Sequence, residues 1–121
     1  MRRPIYTIAV LLCLLALAAV PAAAQTTYTW NGGTGNWTNS ANWTPNTGFP
    51  GNADTAIINS GTCTLDNSLI TTNLTISGSG SLTATIARDL TIQGNISLSG
   101  TGSISANITL STVVLLVSMY I

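Results

Sequence analysis

Two carboxylates, Asp54 and Asp89, are the residues of this 121-residue chain that invite a catalytic interpretation. If each begins a strand and the strands lie two repeats apart, a spacing of about 4.8 Å per strand separates them by roughly 10 Å. An inverting glycosidase holds its two carboxyl groups about 6.5–9.5 Å apart. However, Asn73 takes the same place in the intervening repeat. Aspartate and asparagine in such places usually satisfy backbone groups at turns, so we expect no catalytic residue and no enzymatic activity.

The sequence lacks the histidines and cysteines that other common catalytic and metal-binding sites require. The sequence has no histidine and only two cysteines, Cys13 and Cys63, so Ser-His-Asp, Cys-His and clustered His/Cys metal sites are excluded. We therefore expect no metal and no cofactor. Because Cys13 lies in a segment that we expect to be removed, Cys63 has no intramolecular partner. The repeat pattern places Cys63 at an apolar position, which favours a buried, unreactive thiol.

Aromatic side chains are concentrated between residues 25 and 53, a segment rich in glycine and asparagine. Its three tryptophans, Trp30, Trp37 and Trp43, admit two interpretations. They could fold as a cap over the open end of a stack of strands, which would otherwise expose core and unpaired edges. Alternatively, they could be glycan contacts, with the apolar faces of sugar rings stacked on the indoles.

Residues 1–24 have the features of a secretory signal peptide. Arg2 and Arg3 provide a basic start, residues 8–20 form an apolar run, and Ala22-Ala23-Ala24 precedes Gln25. This pattern predicts cleavage before Gln25 and export to the extracellular space or the bacterial cell surface. The apolar tail at 112–121 has ten residues, against about 20 for a membrane helix. We expect it to be a truncated strand or an altered reading frame, and we expect no membrane span after signal removal.

The charge pattern bears on the class of partner. After the predicted signal peptide, the sequence has one cationic side chain, Arg88, and three anionic ones, Asp54, Asp66 and Asp89. It has no lysine. Nucleic-acid binding depends on several cationic contacts to phosphates, so it is excluded on these numbers. The partners left open are cell-surface glycans and the surface of a host or neighbouring cell.

A repeated tetrad must position these residues. It occurs at 73–76, 89–92 and 107–110, and in each copy two apolar residues alternate with threonine and an initial Asn or Asp. Residues two apart share a face of a strand, and so short a period indicates a coil of stacked strands. We therefore predict an all-β fold, a short parallel β-helix of about three rungs. Stacking would place Leu74, Leu90 and Ile108 in one column.

A second strand type supports this prediction. Gly-Thr-Cys63, Gly-Ser-Leu82 and Gly-Ser-Ile104 align, which predicts a column of Cys63, Leu82 and Ile104. An earlier rung begins near Asp54, with either Ile57 or Ile58 aligned with Ile76. The repeats therefore occupy 54–111. An antiparallel β-sandwich, with hairpins at the glycines, is the alternative.

The entry segment carries a resemblance to a known family. It reads W-x-G-G-x-G-N-W-x-x-x-x-N-W, followed by proline and D-x-A, and the matching residues are Trp30, Gly32, Gly33, Gly35, Asn36, Trp37, Asn42, Trp43, Pro50, Asp54 and Ala56. It resembles the start of secreted bacterial β-strand-repeat proteins of the autotransporter-passenger and adhesin-like kind. The resemblance implies an exported, surface-associated β-solenoid, of which this chain would be an N-terminal fragment.

The sequence thus predicts an exported, non-enzymatic structural or adhesion module. One alternative is a carbohydrate-binding module that uses Trp30, Trp37 and Trp43. A further alternative is a remnant of a β-helical polysaccharide-degrading enzyme that carries Asp54 and Asp89.

Overall fold

A computed structural model describes residues 24–111 and 114–115 of the chain. The predicted signal peptide, apart from Ala24, lies outside the described residues, as does most of the apolar tail. Within the described residues, no helix has the length and apolarity needed to cross a membrane.

The described chain consists of short strands and one 3-10 turn at Ser40–Asn42. The strands are β1 (Thr27–Trp30), β2 (Thr34–Asn36), β3 (Trp43–Thr44), β4 (Thr55–Ile58), β5 (Thr62–Leu65), β6 (Leu69–Thr71), β7 (Asn73–Ile76), β8 (Ser81–Ala84), β9 (Asp89–Ile92), β10 (Asn95–Leu98), β11 (Ser103–Ser105), β12 (Asn107–Leu110) and β13 (Val114–Leu115).

These strands form three sheets, which the chain visits in turn. The first sheet has the order β13-β10-β7-β4-β1-β3, the second β11-β8-β5-β2, and the third β12-β9-β6. We call one passage through the three sheets a circuit; β4-β5-β6, β7-β8-β9 and β10-β11-β12 are the complete ones. Strands of successive circuits pair in parallel, and β1–β3 is the single antiparallel pair among the described strands. The all-β class is confirmed, and the antiparallel sandwich is wrong.

Alternation along each strand sets the inside and the outside. In β7, Leu74 and Ile76 are fully buried while Asn73 and Thr75 are partly exposed, and β4 and β5 repeat this pattern. Apolar side chains from all three sheets meet in one core, which also receives Tyr28 and the three tryptophans. Threonine and serine on the outward positions suit strands that are solvated on one face.

The predicted column of Leu74, Leu90 and Ile108 is wrong. Leu74 pairs in the first sheet with Ala56 and Ile96, whereas Leu90 and Ile108 pair with each other in the third sheet. The reason is that a circuit contains three strands. It takes 18 residues from Ala56 to Leu74 and 22 from Leu74 to Ile96, so the tetrads 16 residues apart fall on different sheets.

Other register predictions are confirmed. Cys63 pairs with Leu82, and Leu82 pairs with Ile104, as the aligned glycines predicted. The choice left open in the earlier rung is also settled, because Ile58 lies opposite Ile76.

The aromatic segment at 25–53 supplies an incomplete first circuit, with strands in two of the three sheets, and its cover. β1 pairs in parallel with β4, and β2 pairs in parallel with β5, so the stack begins within this segment. β3 then turns back and pairs antiparallel with the outer edge of β1, with Trp43 opposite Trp30. The cover pairs the outer edge of β1 at Thr29 and Trp30, and covering an edge is one way that proteins prevent edge-to-edge association.

Glycine is required where circuits approach closely at a corner. Gly61 has a φ of +73°, and a Cβ placed there would lie 2.3 Å from the carbonyl oxygen of Gly32 in the preceding circuit. A side chain at this position would therefore meet backbone that cannot move without breaking the register. Gly33, in the same region, has open space around the position of a Cβ.

We predict that Gly61→Ala lowers the free energy of unfolding by about 1–3 kcal/mol, because it combines a left-handed φ with a backbone clash. Gly33→Ala is the matched control and changes the free energy of unfolding by less than about 1 kcal/mol. Urea denaturation followed by tryptophan fluorescence measures both. Equal losses in the two variants would contradict the stacking described for this corner.

Candidate functional site

Asp54 links neighbouring segments by hydrogen bonds at the corner that precedes β4. Its Oδ1 accepts a hydrogen bond from the Thr26 N–H at 3.1 Å, and its Oδ2 accepts one from the Gly51 N–H at 2.9 Å. Its backbone carbonyl accepts a further bond from the Thr71 hydroxyl at 2.8 Å. Asp54 thus ties the entry of β1 to the end of β6, and both carboxylate oxygens are occupied by backbone donors.

Asp89 lies at the start of the third-sheet strands, whereas Asp54 contacts the end of β6. Asp89 begins β9, is exposed, and pairs with Asn107 of β12. Its backbone N–H donates to the Ser68 hydroxyl just before β6, whereas the Asp54 carbonyl is bonded to Thr71 where β6 ends. The predicted column that placed Asp54 and Asp89 two rungs apart is therefore wrong, and the structure does not bring the two carboxylates together.

A third carboxylate, Asp66, performs a role that the sequence did not reveal. It follows β5, and its two oxygens accept hydrogen bonds from the backbone N–H and the hydroxyl of Thr38. These bonds fasten the chain just after Trp37 onto the next circuit. The only signal in the sequence was an aspartate directly after a buried strand, a pattern that many turns share.

Cys63 is fully buried, as the repeat predicted. It faces the core from β5, between Gly35 of β2 and Leu82 of β8. Burial raises the pKa of the Cys63 thiol far above its ordinary value, and the nearby negative charge of Asp66 raises it further. The thiol therefore stays protonated and unreactive at neutral pH. Within the described residues, no three His, Cys, Asp or Glu side chains cluster in a way that could hold a metal ion.

The three tryptophans fill the end of the core beneath the cover strand. Trp37 and Trp43 have no exposed surface, and Trp30 is 3% exposed. Trp43 packs edge-to-face against each of the other two indoles at centroid distances of 5.0 Å. Such contacts add about 0.5–1.5 kcal/mol each to the burial of the rings.

Each indole nitrogen also has a backbone acceptor. Trp30 donates to the Gly33 carbonyl at 2.9 Å, Trp37 to the Pro50 carbonyl at 3.1 Å, and Trp43 to the Trp37 carbonyl at 2.8 Å. This burial agrees with the cap interpretation. A sugar ring stacks only on an exposed indole face, so Trp30, Trp37 and Trp43 offer no accessible surface for glycan stacking.

Rows of hydroxyl groups cover the outside of the second sheet. Its two outward columns are Thr62-Ser81-Ser103 and Thr64-Thr83-Ser105. The hydroxyls of Thr64 and Thr83 lie 3.4 Å apart, and those of Ser81 and Ser103 lie 3.1 Å apart, so neighbouring strands also interact through their outer faces. This face is uncharged, polar and regular, and we regard it as a candidate interaction surface.

Comparison with protein-family models, with curated proteins and with solved structures gives no match to this chain.

The buried thiol makes stability depend on pH in the alkaline range. The unfolded chain loses the Cys63 proton above about pH 9, whereas the folded chain keeps it. The folded state then binds more protons than the unfolded state, so stability that is complete below this pH falls as pH rises.

We predict that, above about pH 9, the wild-type free energy of unfolding falls by up to about 1.4 kcal/mol per pH unit relative to that of Cys63→Ala. The variant is the control because it lacks this proton while other alkaline titrations remain. Urea denaturation of both proteins between pH 7 and 10 measures the difference. A difference that stays constant over this range would show that Cys63 is not held protonated in the core.

Proposed function

We propose that this protein is an exported, non-enzymatic structural or adhesion module, built as a short β-solenoid with an aromatic cap at its N-terminal end. The in-register parallel pairing of successive circuits in all three sheets is the observation that supports this proposal best. Each circuit adds the same layer of buried apolar and outward polar side chains, and such an architecture extends a surface in one direction.

The outer surface suits a role in display. Its strands present threonine, serine and asparagine, and just one arginine and three aspartates follow the leader in the sequence. Hydroxyl and amide groups make adaptable hydrogen bonds to polar partners such as glycans. The carboxylates of Asp54 and Asp66 accept hydrogen bonds from backbone N–H groups at corners. These bonds support a structural role for the two residues.

The family proposal rests on the entry segment. Trp30, Trp37 and Trp43 in their glycine- and asparagine-rich context resemble the start of secreted bacterial β-strand-repeat proteins. The burial of these residues gives that motif a physical purpose, since it closes the end of the stack. We therefore propose a relationship to the autotransporter-passenger and adhesin-like proteins, which this burial supports.

We predict that a bacterial host expressing this chain, with an epitope tag after Ile121, exports it and cleaves it before Gln25. Mass spectrometry of the purified product gives its N-terminus, and protease treatment of intact cells reports surface exposure. Leu14→Arg is the matched control, because a charge in the apolar run blocks signal recognition while the mature sequence is unchanged.

An uncleaved product that begins at Met1 and stays inside the cell, as for Leu14→Arg, would refute the export proposal. Adhesion is tested separately, with beads that carry the exported protein. Retention on cell surfaces above that of beads carrying the Gly61→Ala variant supports an adhesive role, and equal retention leaves a structural module as the proposal.

A further inference from the structure

A groove lies where the second sheet turns into the third. It has a volume of about 210 Å³ and opens between the β8–β9 connection and the corner between β11 and β12 in the next circuit. Ile86, Ala87 and Ala106 form apolar parts of its wall, and Arg88, Ser105 and Asn107 provide polar groups.

The connection that builds this groove is longer than those of the neighbouring circuits. Four residues, 85–88, join β8 to β9, whereas three residues, 66–68, join β5 to β6 and Ala106 alone joins β11 to β12. The fold can therefore make this corner with one residue, and the additional residues are not needed to hold the register. They place Ile86 71% exposed at the surface. Loops that project from a rigid scaffold in this way commonly carry binding function.

The charge of the groove is distinctive. Arg88 is the single cationic side chain after the leader, and it lines this groove. Asp54 lies at another corner, and Asp66, one circuit earlier at this corner, has both carboxylate oxygens bonded to Thr38. Asp89 follows Arg88 in the chain, and none of the three aspartates lines the groove. A guanidinium presents a planar pair of donors that matches a carboxylate in a bidentate arrangement. The complementary ligand is therefore an oxyanion, of which a carboxylate is one kind.

We infer that this groove binds a uronic-acid residue of an acidic polysaccharide. Arg88 pairs with the sugar carboxylate, Ser105 and Asn107 hydrogen-bond to ring hydroxyls, and Ile86 with the two alanines contacts the apolar C–H groups of the ring. The volume suits one sugar ring rather than a long oligosaccharide. This inference rests on the proposed surface function, since it names the ligand class that an exported module would meet, and it does not involve the buried tryptophans.

Binding of oligogalacturonate to the exported protein, measured by titration calorimetry, tests the inference. Methyl-esterified oligogalacturonate is the matched ligand control because esterification removes the charge and keeps the sugar. We expect the acid form to bind and the ester to bind at least about tenfold more weakly, as a lost charge-assisted pair implies. A sulfated oligosaccharide that binds as well as the uronate would overturn the assignment of a carboxylate.

Variants locate the site. We expect Arg88→Gln to weaken oligogalacturonate binding by about tenfold or more. We expect Asp89→Asn to strengthen it, because a nearby negative charge is removed. Gln93→Ala, at an exposed position outside the groove, is the control and leaves binding unchanged. Urea denaturation checks that each variant keeps wild-type stability.

Unchanged affinity in Arg88→Gln, or no binding by the wild type at the highest soluble ligand concentration, would overturn the inference. Cleavage before Gln25 and protease access on intact cells are measured without ligand. A protein that is exported but does not bind oligogalacturonate therefore refutes this site alone, whereas a protein that remains in the cell refutes the proposed function.

Discussion

Parallel backbone pairing between successive circuits is the constraint on which this structure depends. Because a shift of one residue would turn every side chain of a strand to the opposite face, the register decides what is buried and what is displayed. It places Leu74 over Ala56 in the first sheet, Cys63 against Leu82 in the second, and Leu90 beside Ile108 in the third. The core, the hydroxyl columns and the corner glycines all follow from this one arrangement.

The remaining features maintain that register at its ends and corners. The indoles of Trp37 and Trp43 fill the space beneath β3, which pairs with the outer edge of β1. Asp54 and Asp66 each join one circuit to the next by accepting hydrogen bonds from backbone N–H groups. The tryptophans and Asp54 were among the residues that the sequence marked as candidates for binding or catalysis. Their contacts instead stabilise the stack, and the groove that we propose as a binding site lies elsewhere.

The sequence predicted the second sheet better than the first, for a physical reason. A glycine precedes each of Cys63, Leu82 and Ile104 by two positions, so the register of these strands has a local marker. The tetrads have only alternation, which suits any strand with one buried face and cannot say to which sheet it belongs. For this reason Leu74 was assigned to the column of Leu90 and Ile108, which belong to another sheet. The groove at Arg88 was also beyond prediction, because it forms between a four-residue connection and the circuit stacked beside it.

Disulfide formation between paired outward positions is a direct test of the three-sheet register. Thr75 of β7 lies opposite Ser97 of β10, and neighbouring strands about 4.8 Å apart place Cα atoms within disulfide reach. We expect Thr75→Cys combined with Ser97→Cys to oxidise readily, and Thr75→Cys combined with Thr91→Cys, the pairing implied by aligned tetrads, to remain unlinked. Mass spectrometry of linked peptides distinguishes the two. Efficient linkage of positions 75 and 91, with none between 75 and 97, would contradict the three-sheet register.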